Sequence, residues 1–341
     1  VANILVTGAA GFIGAAVAER LVQAGHKVHG VDNLNDYYDV DLKRARWDRV
    51  ADAAIAKGSE ERFVFHAVDL ADKEAMRDVF KAAQPAFVVH LGAQASVRYA
   101  LAAPENTEVY ARSNLLGHFN VLDLCRDAYV AGTLQHLVYA STSSVYGANE
   151  KMPFEETDDV SRPQSLYAAT KRAAEMMSCS YAHMYGLPQT GVRFFTVYGP
   201  WGRPDMSPMI FGKAIMDGTP IPLFGHGKLE RDFTYIDDIV EGVVRLMEYP
   251  PAAQAGHAAH DIYNIGNHNP VQMLDFVTTL EGVLGKKAKL DLQECPPTEV
   301  QKTYADTSKL QAAVGWAPST KLQDGLARFG EWFKDYYNPT T

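Results

Sequence analysis

One loop near the start constrains this chain more than any other feature. Thr7-Gly8-Ala9-Ala10-Gly11-Phe12-Ile13-Gly14 joins a short apolar run, Asn3–Thr7, to a helical pattern over Phe12–Ala24. Gly8 permits a tight turn, Gly11 lets the backbone approach a pyrophosphate, and Gly14 lets strand and helix pack closely. The start of the helix offers oriented N–H donors and the positive end of a dipole. Glycines in this spacing arise by chance; after a strand and at the head of a helix they read as a dinucleotide site. Asp32 closes the next apolar run, Lys27–Val31, where an acid can accept hydrogen bonds from the adenosine ribose. Its charge opposes a 2′-phosphate, so the reading favours NAD over NADP. The candidate cofactor residues are Gly8, Ala10, Gly11, Phe12, Ile13 and Gly14 in the loop, and Asp32 with Asn33 and Asn35. Asp69 and Leu70, read as closing the third run and covering the adenine, join the set with Leu91 and Ala93 after the fourth.

The rest of the first half repeats the pattern. Arg62–Val68, Ala86–Leu91 and Gln135–Ala140 alternate with helical stretches at Val40–Lys57, Lys73–Ala83 and Glu105–Ala131. Runs rich in Val, Ile and Leu with little alternation point to strands buried on both faces, as in a parallel sheet. Strand–helix alternation predicts an α/β fold with a Rossmann-type doubly wound parallel sheet. After about Arg193 the pattern loosens and Pro and Gly punctuate residues 199–227. Shorter elements follow near Asp237–Glu248, Asp261–Ile265, Val271–Leu284 and Leu322–Tyr336. The expected division is an NAD-binding domain over residues 1–195 and a smaller C-terminal α/β lobe over 196–341, with some chain crossing between them. A cleft between lobes is the expected place for a second ligand.

Composition excludes several roles. The chain has 341 residues, 47% hydrophobic and 21% charged, enough to bury a sizeable core. A net charge of −9 without a basic stripe argues against nucleic acid as a partner. Cys125, Cys179 and Cys295 lack metal-site or disulfide spacing, and no metal site is expected. No apolar run is long enough to span a bilayer, and no charged-then-apolar leader precedes the first strand. The expectation is a cytoplasmic protein without a membrane partner.

The chemistry is read further along. Tyr167-Ala168-Ala169-Thr170-Lys171 opens a helical pattern, and residues four apart share a helix face. A neighbouring ammonium and a bound nicotinamide cation both favour the phenolate of a tyrosine whose free pKa is about 10. Tyr167 is therefore a candidate general base beside Lys171. The run Gln135–Ala140 ends in Ser141-Thr142-Ser143-Ser144, and hydroxyls at the carboxyl end of a parallel strand face the ligand crevice.

With these residues in this order, the chain resembles extended short-chain dehydrogenases/reductases acting on nucleotide sugars, from Asn3 to about Tyr336. Two long stretches, Asp32-Asn33-Leu34-Asn35-Asp36-Tyr37-Tyr38 and Arg193 to Met206, together with Leu166–Lys171, resemble UDP-glucuronate 4-epimerases. The resemblance implies that Tyr167 takes the proton of the sugar 4-hydroxyl, with Thr142 bonded to the same oxygen, while hydride moves to NAD. The 4-keto sugar turns in the site and hydride returns to its other face. This intermediate is a β-keto acid, prone to lose carbon dioxide when the breaking C–C bond lies parallel to the carbonyl π-system. Thr142, Ser143, Ser144 and Thr196 are candidate donors that hold its carboxylate away from that orientation, and Arg203 is a candidate to steady the loop on the sugar side. Related decarboxylases carry a glutamate at the position of Ser144, and dehydratases carry an Asp-Glu pair there; this chain has neither. Arg231 resembles the family's diphosphate-binding arginine. Glu299, in Pro297-Thr298-Glu299 rather than the usual Pro-Gly-Asp context, matches an acid that contacts the uridine ribose. Relatives commonly dimerise through two helices, so a homodimer is expected. The alternatives are a UDP-glucose/UDP-galactose 4-epimerase, a UDP-glucuronate decarboxylase and a non-catalytic NAD sensor.

Overall fold

The apolar runs become strands and the amphipathic runs become helices. The structure, a computed structural model, describes residues 1–295 and 300–337. The chain begins β1 (Asn3–Thr7), α1 (Phe12–Gln23), β2 (Lys27–Asp32), α2 (Val40–Ala56), β3 (Phe63–Ala67), α3 (Lys73–Ala83) and β4 (Phe87–His90). Short helices α4 (Tyr99–Ala102) and α5 (Glu108–Tyr110) lead to α6 (Gly117–Val130), β5 (His136–Thr142), α7 (Leu166–Tyr185) and β6 (Gln189–Phe194). Then come β7 (Thr196–Tyr198), α8 (Ser207–Asp217), β8 (Pro220–Phe224), β9 (Glu230–Tyr235), α9 (Ile236–Met247) and β10 (His260–Ile265). The last elements are β11 (Pro270–Gln272), α10 (Met273–Leu284), β12 (Lys289–Gln293), α11 (Ser308–Val314) and α12 (Leu322–Tyr336). Contacts divide the chain into two units. The first is Val1–Asn149, Glu156–Phe194 and Val240–Tyr263; the second is Glu150–Glu155, Phe195–Ile239 and the chain from Asn264 onward.

In the first unit the sheet runs in the order β10-β6-β5-β4-β1-β2-β3. Strands β1 to β6 are parallel. β1 pairs with β2 on one side and β4 on the other, so strand order reverses at its end. In a doubly wound sheet that reversal opens the ligand crevice at the carboxyl ends of the strands. Ile4, Leu5 and Val6 are fully buried, as two-sided coverage requires. Leu5, Val31, Val88 and Leu137 from the strands pack with Met76, Val79, Phe80, Val121 and Leu122 from α3 and α6. Asp72 caps α3 through the Ala75 N–H, and Ser165 caps α7 through the Ala168 N–H.

The structure departs from the sequence expectations at several elements. β3 ends at Ala67, so Asp69 and Leu70 lie beyond the strand. The helix expected over Glu105–Ala131 is broken into a 3₁₀ turn at Pro104–Thr107, α5, a π-helical stretch at Ala111–Leu116, and α6. β6 is not among the expected strands, because its Gln189, Thr190 and Arg193 are buried polar residues that interrupt an apolar run. The strand expected near Asp261–Ile265 is β10, the edge of the large sheet.

The second unit carries a three-stranded sheet, β11-β9-β7, and a parallel pair, β12-β8. Val271 and Gln272, expected to open the helix Val271–Leu284, lie instead in β11, which pairs antiparallel with β9. Phe233 of β9 stacks on Phe276 of α10 with ring centroids 4.3 Å apart, and Phe211 of α8 meets Phe276 edge-on. Gly330 of α12 meets Val283 so closely that an added Cβ would lie 2.0 Å from its Cγ1.

Candidate active site

The turn after β1 is set by steric limits. Gly8 has φ +70°, and a Cβ there would lie 2.8 Å from the Gly92 backbone nitrogen. A Cβ at Gly11 would lie 2.9 Å from the Gly8 carbonyl oxygen, and one at Gly14 only 2.0 Å from it. Gly11 caps α1 without a side chain, and the first turn carries no acid. The first-turn N–H groups of Phe12, Ile13 and Gly14 have no intrahelical acceptor by position. This cradle, which any side chain would fill, together with a helix start uncompensated by its own chain, fits the pyrophosphate of NAD.

Asp32, at the end of β2, is fixed by two amides. Its Oδ2 accepts the Ala10 N–H at 3.2 Å and its Oδ1 the Leu34 N–H at 2.9 Å. Burial raises its pKa; the two amides and the charges of Lys43 and Arg46 oppose that rise. The Ala10 amide therefore serves Asp32, and its carbonyl accepts from Arg46 at 3.2 Å. Asn33 is exposed and accepts the Asn35 N–H at 3.2 Å, while the Lys43 ammonium donates to the Asn35 carbonyl at 2.5 Å and side-chain oxygen at 2.6 Å. Lys43 and Arg46 are buried residues of α2 that the sequence reading did not single out. Cations three apart on a helix ordinarily signal a solvated face. Asp69 accepts the Ala71 N–H at 2.8 Å and lies 3.5 Å from Arg112. Leu70 covers Gly92, between Leu91 and Ala93, where a Cβ would lie 2.8 Å from its Cδ1.

Two strands across the sheet from β1, β5 ends in hydroxyls. Thr142 is buried; its Oγ1 accepts the Ser144 N–H and donates to the Ser144 hydroxyl, both at 3.2 Å. Ser143 and Ser144 are partly exposed in a 3₁₀ turn, Ser143–Tyr146. Tyr167 and Lys171 lie one turn apart on α7. Lys171 is buried and donates to the Ala140 carbonyl at 3.1 Å, tying α7 to the end of β5. Burial lowers its pKa to about 8, so the ammonium still dominates at neutral pH. Tyr167 is partly buried, with its ring 6.4 Å from that of Tyr110.

Several supporting residues escaped the sequence reading. Asn114 sits in the π-helical stretch, and such stretches often mark functional sites. Its amide exchanges hydrogen bonds with the Gln94 backbone at 2.8 and 3.0 Å and donates to Thr170 at 3.1 Å. Thr170 in turn donates to the Tyr167 carbonyl. His90 and His118 are buried behind Lys171, and both pKa values are lowered, first by burial and then by neighbouring charge, Lys171 included. Glu175 and Arg193 form a buried ion pair on the same side of the sheet.

The candidate residues of the second unit lie on short strands and a loop. Thr196 opens β7 and pairs with Phe233 of β9, two residues past Arg231. Arg231 is partly exposed and donates to the Glu230 carbonyl at 2.9 Å. Arg203 engages Asp205 through Nε at 3.0 Å and Nη2 at 2.6 Å, a forked pair that ties down the loop after β7. In that loop Trp201 has φ +65° and packs on Tyr336 of α12. Glu299 lies outside the described residues.

Comparison with known proteins places this geometry. The family model described as GDP-mannose 4,6 dehydratase matches residues 5–329. A probable UDP-glucuronate 4-epimerase of Rhizobium meliloti (strain 1021) is 44% identical over 347 residues, spanning 98% of this chain and 97% of its own. UDP-glucuronate 4-epimerase 3 of Arabidopsis thaliana is 43% identical over 346 residues, covering 98% of this chain and 77% of its own. The crystal structure of UDP-glucuronic acid 4-epimerase from Bacillus cereus, in complex with UDP-glucuronic acid and NAD, is similar with a TM-score of 0.85. It is 30% identical, covering 98% of this chain and 99% of that one. The chain belongs to the GDP-mannose 4,6 dehydratase family of extended short-chain dehydrogenases/reductases, alongside the UDP-glucuronate 4-epimerases.

Proposed function

We propose that this protein is an NAD-dependent isomerase that interconverts UDP-glucuronate and UDP-galacturonate by epimerisation at C4. The observation that carries the reading is the turn Thr142–Ser144. It offers three hydroxyls and no carboxylate at the end of β5, beside Lys171. Similarity along the whole chain to UDP-glucuronate 4-epimerases supports the same substrate.

NAD, when bound, supplies the acceptor and then the donor of hydride at C4. Gly8, Gly11 and Gly14 with the first amides of α1 would hold its pyrophosphate, and Asp32 its adenosine ribose. Tyr167 takes the proton of the 4-hydroxyl and later returns it. The Lys171 ammonium favours the phenolate that accepts this proton, and the phenol holds it until hydride returns. Thr142 shares the reacting oxygen. Ser143 and Ser144 hold the carboxylate so that its bond to C5 stays out of line with the carbonyl π-system, a role we also assign to Thr196, and the Arg203–Asp205 fork steadies the loop after β7. Arg231 supplies a guanidinium for the diphosphate. In this reading the first unit binds the dinucleotide and carries the chemistry, and the second binds the UDP-sugar.

Two further readings go with the first. Leu116 at the end of the π-helical stretch, Phe119 on α6, and Met176 and Met184 on α7 are exposed apolar side chains, and a second copy of this chain is their proposed cover. A cytoplasmic setting is supported by the three cysteines, all thiols rather than disulfides. Among the described residues, no helix is long and apolar enough to cross a membrane.

NMR of the product formed from UDP-glucuronate without added NAD tests the function. UDP-galacturonate is expected. Stoichiometric UDP-pentose, or turnover of UDP-galactose alone, would overturn it.

A further inference from the structure

Behind the hydroxyl turn lies a polar cluster that the mechanism above does not use. Glu175 stands two helical turns beyond Tyr167 and one beyond Lys171, on the same face of α7. Its carboxylate is fully buried and takes four hydrogen bonds. Arg193 donates Nε to Oε1 and Nη2 to Oε2, both at 2.9 Å; Arg172 reaches Oε2 at 2.9 Å; and the Ser141 hydroxyl donates to Oε1 at 2.6 Å. Ser141 and Arg193 are register partners across β5 and β6, so they present their side chains to Glu175 together. Arg193 also donates to the Glu156 carbonyl at 3.2 Å and lies over the ring of Tyr146, 4.8 Å from its centroid. Tyr146 closes the turn that begins at Ser143.

We propose that Glu175 and Arg193 act through Ser141 as positioning residues. They fix the turn Thr142–Ser144 against α7, and so set the ratio of epimerisation to decarboxylation. The inference rests on the function proposed above. α7 is stitched to β5 at successive residues, Lys171 to the Ala140 carbonyl and Glu175 to the Ser141 hydroxyl. Thr142 follows directly. The pair thus grips both ends of the turn, through Ser141 before it and Tyr146 at its close. Stability is a poor explanation for such a pair, because desolvating two charges offsets their attraction and apolar residues of similar volume often serve as well or better. What four directed hydrogen bonds add is geometry.

That geometry has a chemical reader. If the carboxylate of the 4-keto intermediate tips into line, the C5–C6 bond breaks and carbon dioxide leaves. The bonding pair passes into the C4 carbonyl as an enolate, and C5 takes a proton from solvent. A turn that shifts by a fraction of an ångström changes how often that alignment is reached.

The test uses the purified NAD-loaded enzyme and UDP-glucuronate labelled at C6. It counts carbon dioxide released against UDP-galacturonate formed. This ratio does not depend on how much enzyme is folded, so merely structural damage leaves it unmoved. Ser141→Ala should raise the ratio about tenfold, the least expected from losing one hydrogen bond to a charged acceptor. Ser141→Thr, which keeps a hydroxyl, should restore it. Glu175→Gln, which keeps the shape and an acceptor for Ser141, should raise it less. An unchanged ratio in Ser141→Ala, or no rescue by Ser141→Thr, overturns the proposal. Tyr167→Phe separates the two levels. If that variant keeps epimerising, the underlying mechanism fails and the inference fails with it. If it is inactive while Ser141→Ala keeps the parental ratio, only the inference fails.

Discussion

After β1 the chain turns through Gly8, Gly11 and Gly14, where an added methyl group would collide with backbone atoms. After β5 it turns through Thr142, Ser143 and Ser144, where side-chain hydroxyls bond to one another and to backbone. Both turns stand at carboxyl ends of parallel strands in one sheet, yet they are built from different materials. The first excludes side chains so that backbone can recognise a ligand. The second is made of side chains, which can be cut back to Ala without introducing a clash. Substitutions after β1 should therefore cost stability and cofactor together, whereas those at Ser143, Ser144 and Tyr167 should cost chemistry and leave the fold alone.

The largest expected effect lies on the chemical side. Tyr167→Phe should lower kcat by about 10²–10⁴-fold, the usual contribution of a positioned acid–base group. Its melting temperature and NAD content should match the parent's, and a matching fall in melting temperature would erase the contrast. Gly14→Ala comes next. With its Cβ placed 2.0 Å from the Gly8 oxygen, it should destabilise by about 1–3 kcal/mol or more, read as a lower melting temperature and a lower NAD content after purification.

Lys171 sharpens the comparison through pH. Burial lowers its pKa from the ordinary 10.5 to about 8. Between those values the unfolded chain holds a proton that the folded one has lost, so this residue's contribution to stability rises with pH across that window. Activity should run the other way, with kcat falling as pH climbs through about 8 and Tyr167 loses its charged neighbour. Lys171→Arg, which keeps its charge, should flatten that limb. If the limb persists in that variant, another group titrates. The smallest effect is expected at Ser144→Ala. Among the described residues its partly exposed hydroxyl bonds only to Thr142, so stability should change by less than about 1 kcal/mol, read by thermal denaturation, while decarboxylation rises.

The same contrast explains what the sequence reveals. The glycine loop, Asp32, and the pair Tyr167 and Lys171 are legible because their geometry is local: a turn, a strand end, one helical repeat. β6 is not, because Gln189, Thr190 and Arg193 are buried with partners from distant segments. Gln189 reaches the Ser178 carbonyl at 2.8 Å, Thr190 meets His136 at 3.0 Å, and Arg193 meets Glu175. Each polar residue breaks the apolar run that would have announced a strand, and only the folded chain shows why it is tolerated. Asn114 is hidden for a different reason. Periodicity describes a regular helix, and Asn114 sits where the helix changes type.

The position of β10 has a consequence for synthesis. β6 ends at Phe194, but the strand that covers its open side begins only at His260, after much of the second unit has been made. At about 5–20 residues per second, β6 waits several seconds on the ribosome with its outer row of N–H and C=O groups unpaired. Until β10 arrives, β6 is the edge of the sheet, and such an edge is a template for pairing with another chain. A pause in synthesis between Phe194 and His260 therefore lengthens the interval in which this chain is most exposed to its neighbours.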